Sequence, residues 1–248
     1  WGIIALVCVA YAIVVTNAPV KALHQLQNQL REEQKIDPEK EAVLQLSELN
    51  ELLKVKASKE AHLELASADS IGLFINLNDS SASLMLKGMQ LHPSKIIQYK
   101  YDRFFKSFDQ VSAYALFSKP LHIVSQESNV EKRPFIHKIA PKDTYEVSSE
   151  ISYTDTTKNV AISLKMTTEY GFQILLLAHD DDFSKKKHNN KELMKEKLNV
   201  FKNNMVAIVK RKPISYSPSI KVYLKSEDIV NIYRALPNNA LVVVAFPE

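Results

Sequence analysis

The side chains able to do covalent chemistry are few, and their spacing does not suit it. A single thiol, Cys8, lies inside an apolar run, so no internal disulfide, redox-active cysteine pair or zinc knuckle can be assembled. Seven histidines are scattered along the chain, among them His92, His122 and His137, with no spacing that sets one as a base beside a nucleophile. His179-Asp180-Asp181-Asp182 invites a metal reading, because carboxylates with an imidazole suit hard cations or zinc. Consecutive acidic residues point in diverging directions, however, and Lys185, Lys186 and Lys187 compete for them. With only four glycines there is no room for a glycine-rich phosphate loop or a dinucleotide fingerprint. Neither a metal nor a cofactor is expected.

Composition narrows the partners. The 248 residues carry 32 basic and 28 acidic side chains, a formal net charge of +4, dispersed along the chain. That is too mild and too even for a nucleic-acid surface. The stretch Tyr99 to Phe117 interleaves aromatic and basic residues, as a base-stacking strip would, but it reads more simply as a core strand or short helix with snorkelling lysines. A hydrophobic share of 46% is enough for one core with apolar sequence to spare.

Several elements can be read from periodicity and breakers. Ser219 to Val244 reads as strand, capped helix, turn and strand. Ser226 suits an N-cap, Glu227 and Asp228 suit the first turn, and Ile229, Ile232, Tyr233 and Leu236 recur at helical spacing. Pro237 stops the helix, and Leu241 to Val244 has the length of a buried strand. Upstream, Ile71 to His92 reads as a hairpin whose polar turn is Asn78-Asp79-Ser80-Ser81. Val160 to Thr167 and Phe172 to Ala178 read as paired strands, with Gly171 relaxing the turn. Asn190 to Lys210 has helical periodicity, with Leu193, Met194, Leu198, Phe201, Met205, Ile208 and Val209 on one face to lie over a sheet.

The closing segment, together with the hairpin, resembles the L,D-transpeptidase (YkuD-like) catalytic domain. That family's closing pattern runs His-Gly-Cys-Ile-Arg-Leu-Ser-Asn-Glu-Asp, followed by a helix and a final apolar strand. Counting back from Asp228, the family's cysteine falls on Lys221, its glycine on Ile220 and its histidine on Ser219, while its arginine falls on Tyr223. The resemblance implies an α+β fold over residues 70–248, a mostly β YkuD-like sheet domain with packing helices. It also implies a degenerate site, since the family's chemistry needs a thiolate, a proton acceptor and an oxyanion hole. An ammonium in place of the thiol does not attack a carbonyl by that route. The expectation is a pseudoenzyme with no catalytic residue, Ser219, Ile220 and Lys221 marking the lost positions.

Residues 1–20 hold no charged side chain, and from Ile3 to Val15 the sequence is apolar on every helical face. At ~1.5 Å per residue the run can just cross a hydrocarbon core. Trp1 and Lys21 would then mark the two interfaces. A cleaved signal segment and a buried helix of a soluble fold are the competing readings. Residues 21–57 read as a helical stalk or hairpin broken at Asp37-Pro38, with one apolar seam at Leu23, Leu26 and Leu30 and another at Leu46, Leu49 and Leu53. Narrow seams of this kind seek a partner, another copy of the chain or another subunit, so these six leucines are the expected partner contacts. A linker is expected at 58–69.

The expected protein is therefore single-pass, with its main domain periplasmic or otherwise extracytoplasmic. Its expected work is binding or scaffolding in a membrane complex, with membrane lipid, fellow subunits and cell-wall peptide or glycan as partners and no nucleic acid. The alternative is a membrane-bound cell-wall transferase or hydrolase that uses other residues.

Overall fold

The computed structural model describes residues 2–34, 49–132, 162–179 and 216–247, with scattered positions between 194 and 206. Within the first helix, most side chains before Thr16 are not among the described ones. The fold is α+β, with one large mixed sheet and packing helices.

Nine strands are described: β1 (Gly72–Asn76), β2 (Ser81–Leu86), β3 (Met89–Lys95), β4 (Gln98–Tyr101), β5 (Leu121–Ser128), β6 (Ser163–Thr168), β7 (Gln173–Ala178), β8 (Ser219–Leu224) and β9 (Leu241–Ala245). They lie in the order β3-β2-β1-β9-β5-β6-β7-β8-β4. Pairing is antiparallel except for β1 with β9 and β7 with β8.

The two edge strands, β3 and β4, are joined only by Ile96 and Ile97. The Ile96 N–H donates to Ser80 O on the β2 side (2.8 Å), and the Ile97 N–H donates to Tyr223 O in β8 (2.9 Å). Two consecutive residues thus bond to the two ends of the sheet. Strand β5 makes the other corner: Leu121 and His122 pair with β9, Ile123 and then Ser125 to Ser128 pair with β6, and the register shifts between Ile123 and Ser125. Such irregularities are how a strand passes from one sheet layer to the next. The sheet curls on itself in this way, and its inward side chains make one core that includes Leu73, Ile75, Leu164, Ile174, Val222 and Val242.

The opening hairpin forms as its sequence predicts, with a different turn anchor. Asn76 Oδ1 accepts from the N–H groups of Asn78 and Asp79, at 3.0 and 3.3 Å. The β2–β3 turn uses two left-handed residues, Lys87 (φ 49°) and Gly88 (φ 77°), whose twist suits a two-residue hairpin. The β6–β7 pair also forms, with Gly171 at φ 79°.

Helix α1 spans Gly2–Gln34 and α2 spans Asn50–Ser67. After a short 3-10 helix, Arg103–Lys106, come α3 (Gln110–Phe117) and, between β8 and β9, α4 (Ser226–Ala235). The α4 cap differs from expectation: Lys225 occupies the cap position without a side-chain bond, and Ser226 is the first helical residue. At the other end of α4, Lys132 Nζ donates to Leu236 O (2.6 Å) and Asn238 Oδ1 (3.2 Å), placing a cation where the helix is electronegative. Burial lowers the Lys132 pKa below that of an ordinary lysine.

Three findings bear on the first seventy residues. First, α1 runs on past the apolar stretch without a break. It continues through Pro19, which deprives the carbonyl four residues back of its usual donor. Second, Leu26 and Leu30 are buried in the chain's own central core, and Leu23 packs against it. These three side chains are used within the molecule rather than left as a seam for a partner. Asp109, the N-cap of α3, locks the contact: it accepts from Gln27 Nε2 (2.6 Å), Arg31 (3.4 Å) and the Ser112 N–H (3.1 Å). Burial alone would raise the Asp109 pKa, but the bonds from Ser112 and the charge of Arg31 outweigh it and hold the carboxyl below the usual range. Third, residues 58–67 are not a linker but the second half of α2. Ala57, Ala61 and Leu65 repeat at a spacing of four along its buried stripe, and Ala61 and Leu65 pack with Met85 and Val243 on the outer face of the sheet. Gly72 on β1 lies directly beneath Leu65.

Among the described residues no helix is long and apolar enough to cross a membrane. The span expected at 1–20 falls largely on side chains outside that set. So do Leu46 and the break at Asp37-Pro38. Leu49 and Leu53 are half-buried. Most of 190–210 is likewise undescribed; Met194 and Leu198, expected over a sheet, are 73% and 68% exposed.

Candidate functional site

Strand β8 carries the three positions singled out by the resemblance. Its alternation is regular: Ile220, Val222 and Leu224 are buried, while Ser219, Lys221 and Tyr223 face the other way and are half-buried. Ile220, where the resemblance has glycine, is a core residue at 1% exposure.

Lys221 sits in a row that crosses the sheet. Its register partner on β4 is Lys100, and on β7 it is Leu175. Leu175 pairs in turn with Lys165 on β6, and Lys165 with Glu127 on β5. The Lys165 ammonium meets the Glu127 carboxylate at 3.8 Å. Lys221 and Lys100 are directly opposed like charges, an arrangement that costs stability unless an anion lies between them. A row of this composition can hold carboxylates or other anions. It has neither the thiolate nor the paired histidine that the resembled family's acyl transfer uses.

Ser219 is tied down rather than poised. Its N–H donates to Asp102 Oδ2 at 2.7 Å, its hydroxyl donates to the same oxygen at 3.2 Å, and the Asp102 N–H returns a bond to Ser219 O at 3.1 Å. Tyr216 completes the cluster. Burial, with Asp102 as charge and hydrogen-bond partner, pushes its phenol up to about 12. The group anchors the start of β8 to the end of β4.

The remaining candidates separate. His179 is half-buried; its backbone N–H donates to Leu224 O (2.8 Å) and its ring meets Tyr223 edge-on at 6.3 Å. The acidic run 180–182 lies outside the described residues. Among the described residues no three His, Cys, Asp or Glu side chains come together as metal ligands. His92 on β3 meets Asp228 of α4 at 3.1 Å, another tie rather than a site.

A feature that sequence reasoning missed is a cleft of about 360 Å³ between α2, α3 and the end of β9. Its walls come from stretches far apart in sequence, around residues 53–58, 101–117 and 244–247, so no local motif announces it. The only signal was the aromatic richness of Tyr99 to Phe117, which supplies much of the lining.

Compared with known family models, with curated proteins and with solved structures, the chain finds no match.

Proposed function

We propose that this chain is a non-catalytic, membrane-anchored envelope protein whose domain binds or scaffolds, a relative of the L,D-transpeptidase domain that has exchanged its nucleophile for a cation. The observation that carries this reading is the row Lys165, Lys221 and Lys100 across β6, β8 and β4, centred where the resemblance puts the thiol. Cell-wall peptides carry free carboxylates. A lysine row holds such groups by charge, and a site that binds without attacking needs no thiolate.

The mounting supports the same reading. The uncharged first twenty residues run, in one helix, into the Leu26 and Leu30 contact with the core. At ~1.5 Å per residue, Leu26 lies only about 8 Å along the helix from Lys21. An anchor built this way holds its domain close against the bilayer.

The test is incubation of the full chain with peptidoglycan fragments, following retention and mass change separately. Retention without mass change is expected, weakened at least several-fold by Lys221→Glu with Lys100→Glu. Turnover of the fragments would overturn the non-catalytic reading, and retention unaffected by both charge reversals would overturn the assignment to β8.

A further inference from the structure

The cleft is lined by Tyr101, on the opposite face of β4 from its neighbour Lys100, and it shares no residue with the β8 row. Its floor is aromatic. Phe246, just beyond β9, stands against Tyr101 at 5.3 Å and 85°, against Phe105 at 5.5 Å and against Phe117 at 4.8 Å. Tyr114 closes one side from α3, its hydroxyl already donating to Glu60 at 2.5 Å and its ring lying under Lys56 at 5.4 Å. What Tyr114 offers the cleft is therefore its apolar face.

Polar groups stand among the aromatics. Lys54 and Lys106 are exposed at the rim, and no acidic side chain is among the described lining residues. Lys106 Nζ is 5.4 Å from the Tyr101 ring centroid, which holds the cation over the aromatic wall. Gln110, the first residue of α3, has its side-chain Oε1 buried with no hydrogen-bond partner among the described residues. A buried acceptor left without a donor is costly, and a turn of the Gln110 side chain toward the cleft would let a ligand N–H or O–H relieve it. The volume lies near the low end of the ~300–1,000 Å³ common for small-molecule sites, which also combine apolar walls with a few placed polar groups.

We propose that this cleft binds a small amphipathic anion: a flat apolar body against Phe246, Phe105 and Phe117, an anionic group at Lys54 and Lys106, and a hydrogen-bond donor at Gln110. This inference is independent of the anchor and of the β8 row. It would stand if either were refuted.

The probe is 8-anilino-1-naphthalenesulfonate, which carries two aromatic systems, one N–H and one sulfonate. Equilibrium dialysis against the full chain, held in a detergent-free amphipathic polymer, measures binding, with polymer alone as the partition blank. One saturable site is expected. Its affinity should fall at least ten-fold in the double variant Lys54→Glu, Lys106→Glu and about five-fold in Gln110→Leu, where one neutral hydrogen bond is lost. Ser58→Trp, which puts an indole into the cleft, should abolish it. The uncharged analogue N-phenyl-1-naphthylamine should bind at least ten-fold more weakly. The lysines are exposed, so the charge reversal should leave the fold intact, and a thermal melt checks that it does. Should Ser58→Trp fail to fold, the charge-reversal and analogue comparisons still decide. Unsaturable uptake, equal affinity for the neutral analogue, or indifference to the charge reversal would each overturn the proposal.

Discussion

Replacing Leu30 by alanine separates the two roles that the first helix could play. Leu30 is 2% exposed and belongs to the central cluster with Leu26, Ile75 and Leu116. A leucine this deeply buried costs about 2–5 kcal/mol when truncated, the spread reflecting how far the hole can collapse. Because α1 packs on α3 and the short 3-10 helix, which can settle toward the hole, we expect a loss near the middle of that range, about 3 kcal/mol. For a domain of this size that corresponds to a fall in Tm of about 6–12 °C. Leu23 packs only at the edge of the cluster, so Leu23→Ala should cost about 1 kcal/mol. The assay is thermal and urea unfolding of both variants at protein concentrations about a hundred-fold apart, since a contact between copies makes stability depend on concentration and one within a chain does not. A loss below about 1 kcal/mol for Leu30→Ala, or a midpoint that rises with concentration for the parent but not the variant, would refute the internal docking of α1.

Two further measurements follow from the same structure. A Cβ on Gly72 would overlap Leu65 Cδ1 and stand 3.0 Å from Leu241 O, so Gly72→Ala should destabilise by about 1–3 kcal/mol in urea unfolding, and a neutral result would show that α2 does not sit directly on β1. For Tyr216, raised to about 12 in the folded chain, the unfolded state loses its proton first as pH climbs from about 10, so stability is full below that and falls between about 10 and 12. The full shift would be worth about 2.7 kcal/mol, which solvent access to this half-buried ring reduces to about 1 kcal/mol. Tyr216→Phe should remove that part of the alkaline slope, and an unchanged slope would show that its burial against Asp102 is not what the alkaline limb reports.

The strands near the carboxy terminus were legible because their information is local. Alternation in Ile220, Val222 and Leu224, a proline after Leu236 and the apolar run Leu241 to Val244 dictate strand, helix end and strand whatever lies around them. The same holds for the opening hairpin and for Gly171, where the turn chemistry is written in adjacent residues. Where periodicity gave the element, however, it did not give the neighbour. Leu23, Leu26 and Leu30 announce an apolar stripe at helical spacing, and nothing in their order says whether another copy or the chain's own core will cover it. The structure decides for the core, because Asp109 caps α3 within reach of Gln27 and Arg31.

By itself, then, the sequence determined the absence of a paired thiol chemistry, the order of the β elements at both ends of the domain, and the continuous apolar face of its first residues. Only the tertiary structure decided that β3 and β4 bring the sheet's ends together through Ile96 and Ile97. It alone set Lys221 opposite Lys100, and it alone gathered a cleft from the end of β9, α2 and α3. The physical reason is range. Secondary structure follows from contacts a few residues apart, whereas registers, sheet closure and clefts depend on which distant surfaces exclude water together.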